Sequence, residues 1–344
     1  MSCEQNRQTG AMDALPELDD VLGRAHVVSV PLTTRFRGVQ HREAVLLDGP
    51  AGWSEFAPFL EYDDGEASTW LAAALDFGWR DSHVPRLRES IPVNATLPAV
   101  PLDRIASVLG QFGECRTVKV KVAEPGESLA DDFARVRETR RLLGPVGRIR
   151  LDANGAWNLD EAEHAVRELE QFDLEYVEQP CATVPELAEL RRRIHRIDVL
   201  VAADESVRKA SDPLAVARAG AADLLVIKVA PLGGVDRALR IVSESGLPAV
   251  VSSALDTSVG LAMGAALAAR LPNLEFDCGL GTGALLADDV ADPRVVPVGG
   301  AIDVGRASVD EDALTRLAAP ADRDAWWRER LARCHGLVTT AIAR

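Results

Sequence analysis

Val118-Lys-Val-Lys-Val122 is the stretch on which the reading of this chain turns. Side chains alternate along a strand, so Lys119 and Lys121 leave one face while the valines leave the other, toward covering helices. Neighbouring segments repeat the arrangement. Arg148-Ile-Arg-Leu-Asp-Ala-Asn154 sets Arg150, Asp152 and Asn154 on one face, and Glu175-Tyr-Val-Glu-Gln-Pro180 closes its strand with Glu178. Val201-Ala-Ala-Asp-Glu-Ser206 closes with Asp204 and Glu205, and Leu225-Val-Ile-Lys-Val229 puts Lys228 near the end of an apolar run. Functional groups of barrels sit at such C-terminal strand ends.

Outward from that stretch, strand and helix patterns alternate. Eight candidate strands fall at 93–97, 118–122, 148–154, 175–179, 199–205, 223–229, 249–254 and 275–279. Helical patterns at 129–143, 160–171, 185–195, 213–219 and 235–245 lie between them. Eight buried parallel strands with intervening helices predict a (β/α)8-type barrel; an open doubly wound sheet competes but usually has fewer strands. Ahead of the barrel, His26-Val-Val-Ser-Val30 and Glu43-Ala-Val-Leu-Leu47 read as short strands on either side of Arg35-Phe-Arg-Gly38. A Gly/Pro-rich stretch and a helical pattern at 67–77 follow, which together predict a small α+β domain. Past Gly300 the alternation is lost, and a helical tail carrying Trp326-Trp327 is expected to pack back on that first domain.

Composition excludes several functions. A net charge of −15 argues against a nucleic-acid partner or an anionic membrane surface, and leaves local positive groups or a bound cation to draw in an anionic substrate. The 47% hydrophobic and 26% charged content is that of a soluble globular chain. Cys3, Cys115, Cys181, Cys278 and Cys334 are scattered without a C-x-x-C, which fits neither a disulfide framework nor a zinc site and points to a reducing cytosol. No secretory signal is evident, and the longest apolar stretch, 259–269, is too short to insert in a bilayer. A cytoplasmic location is expected.

Asp152, Glu178 and Asp204 are each 26 positions apart, one strand–helix repeat per step, so successive strands aim one carboxylate each at a common point. Three like charges that close repel unless a cation sits among them. Hard oxygen donors in that number suit Mg²⁺, which keeps positions for water and substrate. Lys119 and Lys121 on one side, with Lys228 across the barrel, suit acid/base work, because burial and neighbouring positive charge lower a lysine pKa. Singly, each group has a plainer reading as a surface or loop residue, and a K-x-K also serves as an edge-strand device. All of them at equivalent ends of consecutive strands make the plainer reading hard to sustain. Gly279-Leu-Gly-Thr-Gly283 reads either as a flexible loop or, through backbone N–H groups such as that of Gly281, as a carboxylate holder. Ser252 and Ser253 read equally as substrate contacts or as part of a helix start. His164 and His195 read as helix-surface residues.

At these residues the sequence resembles the enolase superfamily, in its muconate-lactonising-enzyme-like branch, which combines a K-x-K strand, ordered Asp, Glu and Asp ligands and a later lysine. Thr117-Val-Lys-Val-Lys-Val-Ala-Glu-Pro-Gly126, Leu174-Glu-Tyr-Val-Glu-Gln-Pro-Cys-Ala-Thr183, Ile227-Lys-Val-Ala-Pro-Leu-Gly-Gly234 and Val251-Ser-Ser-Ala-Leu-Asp256 resemble the o-succinylbenzoate synthase family of that branch. Arg35-Phe-Arg-Gly38 and Gly52-Trp-Ser-Glu-Phe-Ala-Pro58 resemble its capping segments, which are expected to close over the substrate. The resemblance implies an α/β fold: a modified TIM barrel, (β/α)7β, with an α+β capping domain. The division expected is 1–92 for an arm and the capping domain, 93–300 for the barrel and 301–344 for a returning segment. It implies Mg²⁺, with Mn²⁺ as a substitute, held by Asp152, Glu178 and Asp204. Lys121 is then the proton-transfer base, Lys228 faces the other side of the substrate, and Lys119 lowers the pKa of Lys121 and meets the substrate carboxylate. Asn154, Glu205 and Arg150 would orient the ligands. Ser252, Ser253, Gly281 and Arg35 would contact a small-molecule carboxylate. The activity implied is a dehydration that forms an aromatic ring. An N-succinylamino-acid racemase or dipeptide epimerase competes on the same scaffold, and a non-catalytic metabolite-binding protein is the third reading.

Overall fold

The computed structural model of the chain describes residues 15–36, 38–209 and 212–342; the acidic opening before residue 15, with Cys3, and Arg37 lie outside the described residues. The β-branched runs near the start pair into an antiparallel sheet of β1 (Ala25–Phe36), β2 (Val39–Gly49) and β3 (Gly52–Phe56). Against it packs the helix Asp64–Trp79, opened by Asp63, whose side chain accepts from the Glu66 N–H and so satisfies one of the helix's free donors. The last helix, Ala321–Ile342, lies on the same helix, and Phe56, Trp70 and Trp327 share one buried cluster. Glu43 of β2 fixes that return by accepting from Arg323 and from Trp327 Nε1.

Strand β4 (Ser90–Pro92) leads into a parallel sheet whose spatial order is its sequence order: β5 (Ala95–Leu97), β6 (Thr117–Lys121), β7 (Arg148–Asp152), β8 (Leu174–Glu178), β9 (Leu200–Ala203), β10 (Leu224–Ile227) and β11 (Ala249–Val251). The predicted eighth strand is reduced to single bridges. Cys278 pairs in parallel with Val93 and Gly279 with Ser252, which joins the two ends of the sheet and closes the barrel. A short β12 (Ala301–Asp303) pairs antiparallel with β4. Seven regular strands and a bridged segment, under a separate small sheet, are the modified barrel and capping fold expected from the sequence. The helix expected at 213–219 is a single turn, Ala215–Arg218.

Alternation along the strands makes two apolar layers. Val118, Val120, Ile149, Leu151, Val177, Val201, Leu225 and Ile227 face outward into the large core shared with the helices. Tyr176, Ala202, Leu224, Val226 and Val250 face inward and form a small cluster inside the barrel. The charged residues take the remaining inward positions toward the C-terminal strand ends. Register sets their heights: Lys121 is level with Asp152, Asp152 with Glu178, and Glu178 with Ala202. Because Ala202 fills the level position on β9, Asp204 stands one inward-facing position further along. Asp152 and Glu178 are therefore level, and Asp204 stands further toward the strand ends.

Candidate active site

Asp152, Glu178 and Asp204 are each at most 1% exposed, so their charges need partners inside the protein. Lysines supply them. Lys119 Nζ lies 2.9 Å from both Glu178 oxygens and 3.3 Å from Asp152 Oδ2. Lys121 Nζ lies 2.6 Å from that same Asp152 oxygen and 2.6 Å from Asn154 Oδ1. Lys228 Nζ donates to Asp204 Oδ2 from the far side. Strands β6 and β10 stand across the barrel from each other, with β7, β8 and β9 between them one way and β5, the bridged segment and β11 the other way.

Burial and, next, the Asp152 charge push the Glu178 carboxyl up to about 7. Burial would raise Asp152 as well, but Lys121 and Lys119 outweigh it and hold that carboxyl below the usual range. Asp204 is held down in the same way, Arg208 and Lys228 overcoming burial. Burial lowers the Lys228 pKa against the pull of Asp204. Lys119 is raised instead, because Glu178 and Asp152 together exceed the burial effect. Lys119 and Lys228, on opposite walls of the barrel, thus shift in opposite directions.

The backbone just past these strands is strained. Asn154 has φ 47° and Gln179 φ 39°, left-handed conformations that cost of order 1–3 kcal/mol each and persist only when their surroundings hold them. The Asn154 N–H donates to Asp152 Oδ1. The Gln179 side chain accepts from the N–H groups of Asp204 and Ser206 and donates to Cys181 O and Ser206 Oγ, locking the turn that carries Asp204.

Donor chemistry and burial here fit a hard divalent cation. Glu205 Oε2 is buried next to the cluster without a hydrogen-bond partner, an acceptor that a cation or a donor there would satisfy. The present side-chain positions are those of the cluster closed on itself: among the described residues no group of three His, Cys, Asp or Glu stands close enough to share one ion. Lys119 bridges Asp152 and Glu178 instead. Phe36 and Phe59 of the capping segments roof the cluster, and Thr96, Ser252, Ser253 and Thr282 complete the walls. The free space among these side chains is about 30 Å³, enough for a water. Larger clefts of about 350 and 600 Å³ lie elsewhere, one bordered by Asp76, Arg80 and Arg306 and the other by Leu239, Leu247 and Pro272, but neither contains a comparable knot of buried acids and lysines.

Three expectations need correction. Arg150 does not orient the carboxylate cluster. It lies one inward position deeper on β7, where its Nε donates to Glu175 and its Nη1 to Asn94 Oδ1 and the Asp277 carbonyl. Arg35 is exposed and faces away from the cavity, because strand alternation turns its neighbour Phe36 inward. Gly281 is likewise not in the lining, which takes Gly279 and Thr282; a Cβ on Gly281 would stand 2.7 Å from the Asn94 carbonyl, so its place is set by close packing. Ser252 and Ser253 do line the cavity, Ser253 Oγ lying 2.6 Å from Thr282 Oγ1, and it is Thr257 that caps the following helix. Glu205 Oε1 accepts from Asn154 Nδ2 at 3.2 Å, behind the cluster. Gln179 and Arg208 were not singled out by the sequence. Arg208 had a signal, its position four residues after Asp204 on a helical turn, the spacing at which side chains meet.

Residues 27–78 match the family described as Enolase N-terminal domain-like, and residues 103–308 match Enolase C-terminal domain-like. The chain is 54% identical over 327 residues to the o-succinylbenzoate synthase of Mycolicibacterium smegmatis, covering 95% of this chain and 99% of that one. It is 50% identical over 329 residues to that of Mycobacterium tuberculosis, covering 95% and 98%. Among solved structures, muconate lactonizing enzyme from Pseudomonas putida superposes with a TM-score of 0.72 at 19% identity, covering 86% of this chain and 98% of that one. The 2-chloromuconate cycloisomerase from Rhodococcus opacus 1CP gives 0.74 at 22% identity with the same coverage, and both show a shared fold. This chain belongs to the enolase superfamily and, within it, to the o-succinylbenzoate synthase family.

Proposed function

We propose that this chain dehydrates 2-succinyl-6-hydroxy-2,4-cyclohexadiene-1-carboxylate to 2-succinylbenzoate, a Mg²⁺-dependent step of menaquinone biosynthesis carried out in the cytoplasm. The observation that carries the reading is the pair of lysine positions on opposite barrel walls, Lys121 on Asp152 and Lys228 on Asp204, above carboxylates that are wholly buried. Relatives at 50–54% identity over 95% of this chain are named for the product.

Lys121 Nζ, in its neutral form, removes the proton from the carbon bearing the substrate carboxylate. The bond between ring and hydroxyl then breaks, the ring gains its third double bond, and Lys121 returns the proton to the departing hydroxide as water. Lys119, on the same Asp152 oxygen as Lys121, is placed to meet the substrate carboxylate. Lys228 lies on the opposite face, where its ammonium stabilises the electron-rich ring. Asp152, Glu178 and Asp204 would hold the cation, for which Mn²⁺ substitutes; when bound it supplies positive charge that acidifies the proton beside the substrate carboxylate. Asn154 and Glu205 orient this machinery, and Phe36 and Phe59 exclude water from it.

Opposed lysines also suit racemisation of an N-succinylamino acid or a dipeptide, which needs a base on each face, so that is the second reading. Purified chain given the cyclohexadiene substrate with Mg²⁺ is expected to accumulate the aromatic product. Turnover of N-succinylamino acids with none of the cyclohexadiene would overturn the dehydratase in favour of the racemase. In heavy water, the Lys228→Ala variant is expected to exchange the α-proton of one enantiomer and the Lys121→Ala variant that of the other.

A further inference from the structure

We propose that Arg208 is a positioning residue that ties both candidate lysines to the capping domain, so that the roof and the carboxylate cluster are set together; the proposal rests on the reading of those carboxylates as cation ligands. Arg208 ends the turn Glu205–Arg208 that follows β9, and its side chain is only 2% exposed. Each of its three guanidinium nitrogens has a different partner. Nε donates to Asp204 Oδ1 at 2.9 Å, and the other oxygen of that carboxylate holds Lys228. Nη2 donates to Glu205 Oε1 at 2.6 Å, Glu205 accepts from Asn154, and Asn154 accepts from Lys121. Nη1 donates to the Tyr62 hydroxyl at 2.8 Å, across the seam to the capping domain.

Tyr62 is the cap side of the connection. Its ring meets that of Phe59, the roof residue, edge-on at 5.6 Å, and Lys209 Nζ stands 4.4 Å over its face. Arg330 of the last helix donates to the carbonyls of both Phe59 and Tyr62, so this short loop is pinned from behind. A rigid planar fork with three orthogonal tasks is something a lysine cannot reproduce. Arg208 occupies only Oδ1 of Asp204, a residue that lines the cavity, and leaves Oδ2 to Lys228. A cation arriving at Asp204 has to displace Lys228, while Arg208 keeps the carboxylate aimed.

Two charge-conserving variants separate placement from electrostatics: Tyr62→Phe, which removes one hydroxyl, and Arg208→Lys, which keeps the charge and loses the fork. The readout is Mn²⁺ uptake by the substrate-free protein, followed by the paramagnetic signal of free Mn²⁺, alongside kcat, KM and Tm. Arg208→Lys is expected to weaken Mn²⁺ binding ~10–100-fold, as loss of a ligand-orienting partner does. Tyr62→Phe is expected to weaken it about fivefold, the worth of one hydrogen bond, and to raise KM through a looser Phe59. Wild-type Mn²⁺ affinity and KM in Tyr62→Phe would overturn the proposal, as would variants that lose Tm while keeping Mn²⁺ affinity. If the wild-type chain itself takes up no Mn²⁺, the metal reading fails first and the proposal falls with it.

Discussion

At the N-terminal end of the barrel, Arg150 is wholly buried over the Tyr176 ring and donates to Glu175, Asn94 and the Asp277 carbonyl, while Arg148 donates to Asp277 and Thr117. At the C-terminal end, Lys119, Lys121 and Lys228 face Asp152, Glu178 and Asp204. The same strands, β7 and β8, supply acids or bases to both ends, only two or three residues apart. What differs is the cation. Guanidinium groups keep their charge and fix a planar geometry, so the lower network locks strand order. Ammonium groups on flexible stems can withdraw and can give up a proton, so the upper network can be rearranged by a substrate or a cation. One barrel interior thus contains a clamp and the proposed reactive site, built from the same strands.

Breaking the upper network should be felt in rate. Lys121→Ala is expected to lower kcat ~10³–10⁴-fold, since it removes the proposed proton carrier. Its thermal unfolding midpoint should stay near that of the wild type, because Asp152 keeps Lys119. A variant that unfolds would mean the upper lysines are structural too. The mirror experiment is Arg150→Met, expected to cost roughly 3 kcal/mol in urea unfolding by leaving Glu175 without its buried partner. Turnover per folded molecule should be unchanged; a large drop in kcat at full folding would erase the distinction between the two ends.

A buried acid with no lysine on it sharpens the contrast. Glu55 of β3 reaches from the capping sheet to the start of the helix Ser258–Ala268, where one oxygen accepts from Thr257 N–H, Thr257 Oγ1 and Gly260 N–H. Burial and then Asp256 push it up to about 8 from an ordinary 4.5. The folded chain therefore holds this proton to higher pH than the unfolded chain does, and stability falls as pH rises from about 4.5 to 8. Glu55's share of the loss should be about 2 kcal/mol between pH 6 and 8, read as the difference in denaturant unfolding between the wild type and Glu55→Gln. Glu55→Gln keeps an acceptor for all three donors and should flatten that slope; an unchanged slope would show that the proton sits elsewhere.

Much of this was legible in the sequence because strand alternation and a 26-residue repeat are local, periodic signals. Lys119, Lys121, Asp152 and Glu178 could be assigned to one interior from spacing alone. Arg150 shared that face, and spacing could not tell which end of the barrel its long side chain would seek; Glu175 and the Asp277 carbonyl decide it. Arg35 and Phe36 were a single segment in the sequence, and only the pairing of β1 with β2 determines which of them turns inward. The final strand was expected as 275–279 and is two bridged residues, Cys278 and Gly279. Tyr62 and Arg208, 146 positions apart, meet only through the docking of two domains, which no local pattern encodes.

The most direct test of the account is dehydration of the cyclohexadiene substrate by the purified chain in chelator, before and after Mg²⁺ or Mn²⁺ is returned, with Asp152→Asn and Asp204→Asn in parallel. Turnover should vanish in chelator and return with the cation in the wild type, and neither variant should recover more than a small fraction of it. Full turnover in chelator by protein shown to carry no metal would contradict the assignment of Asp152, Glu178 and Asp204, and with it the division of the barrel into a clamp and a reactive end.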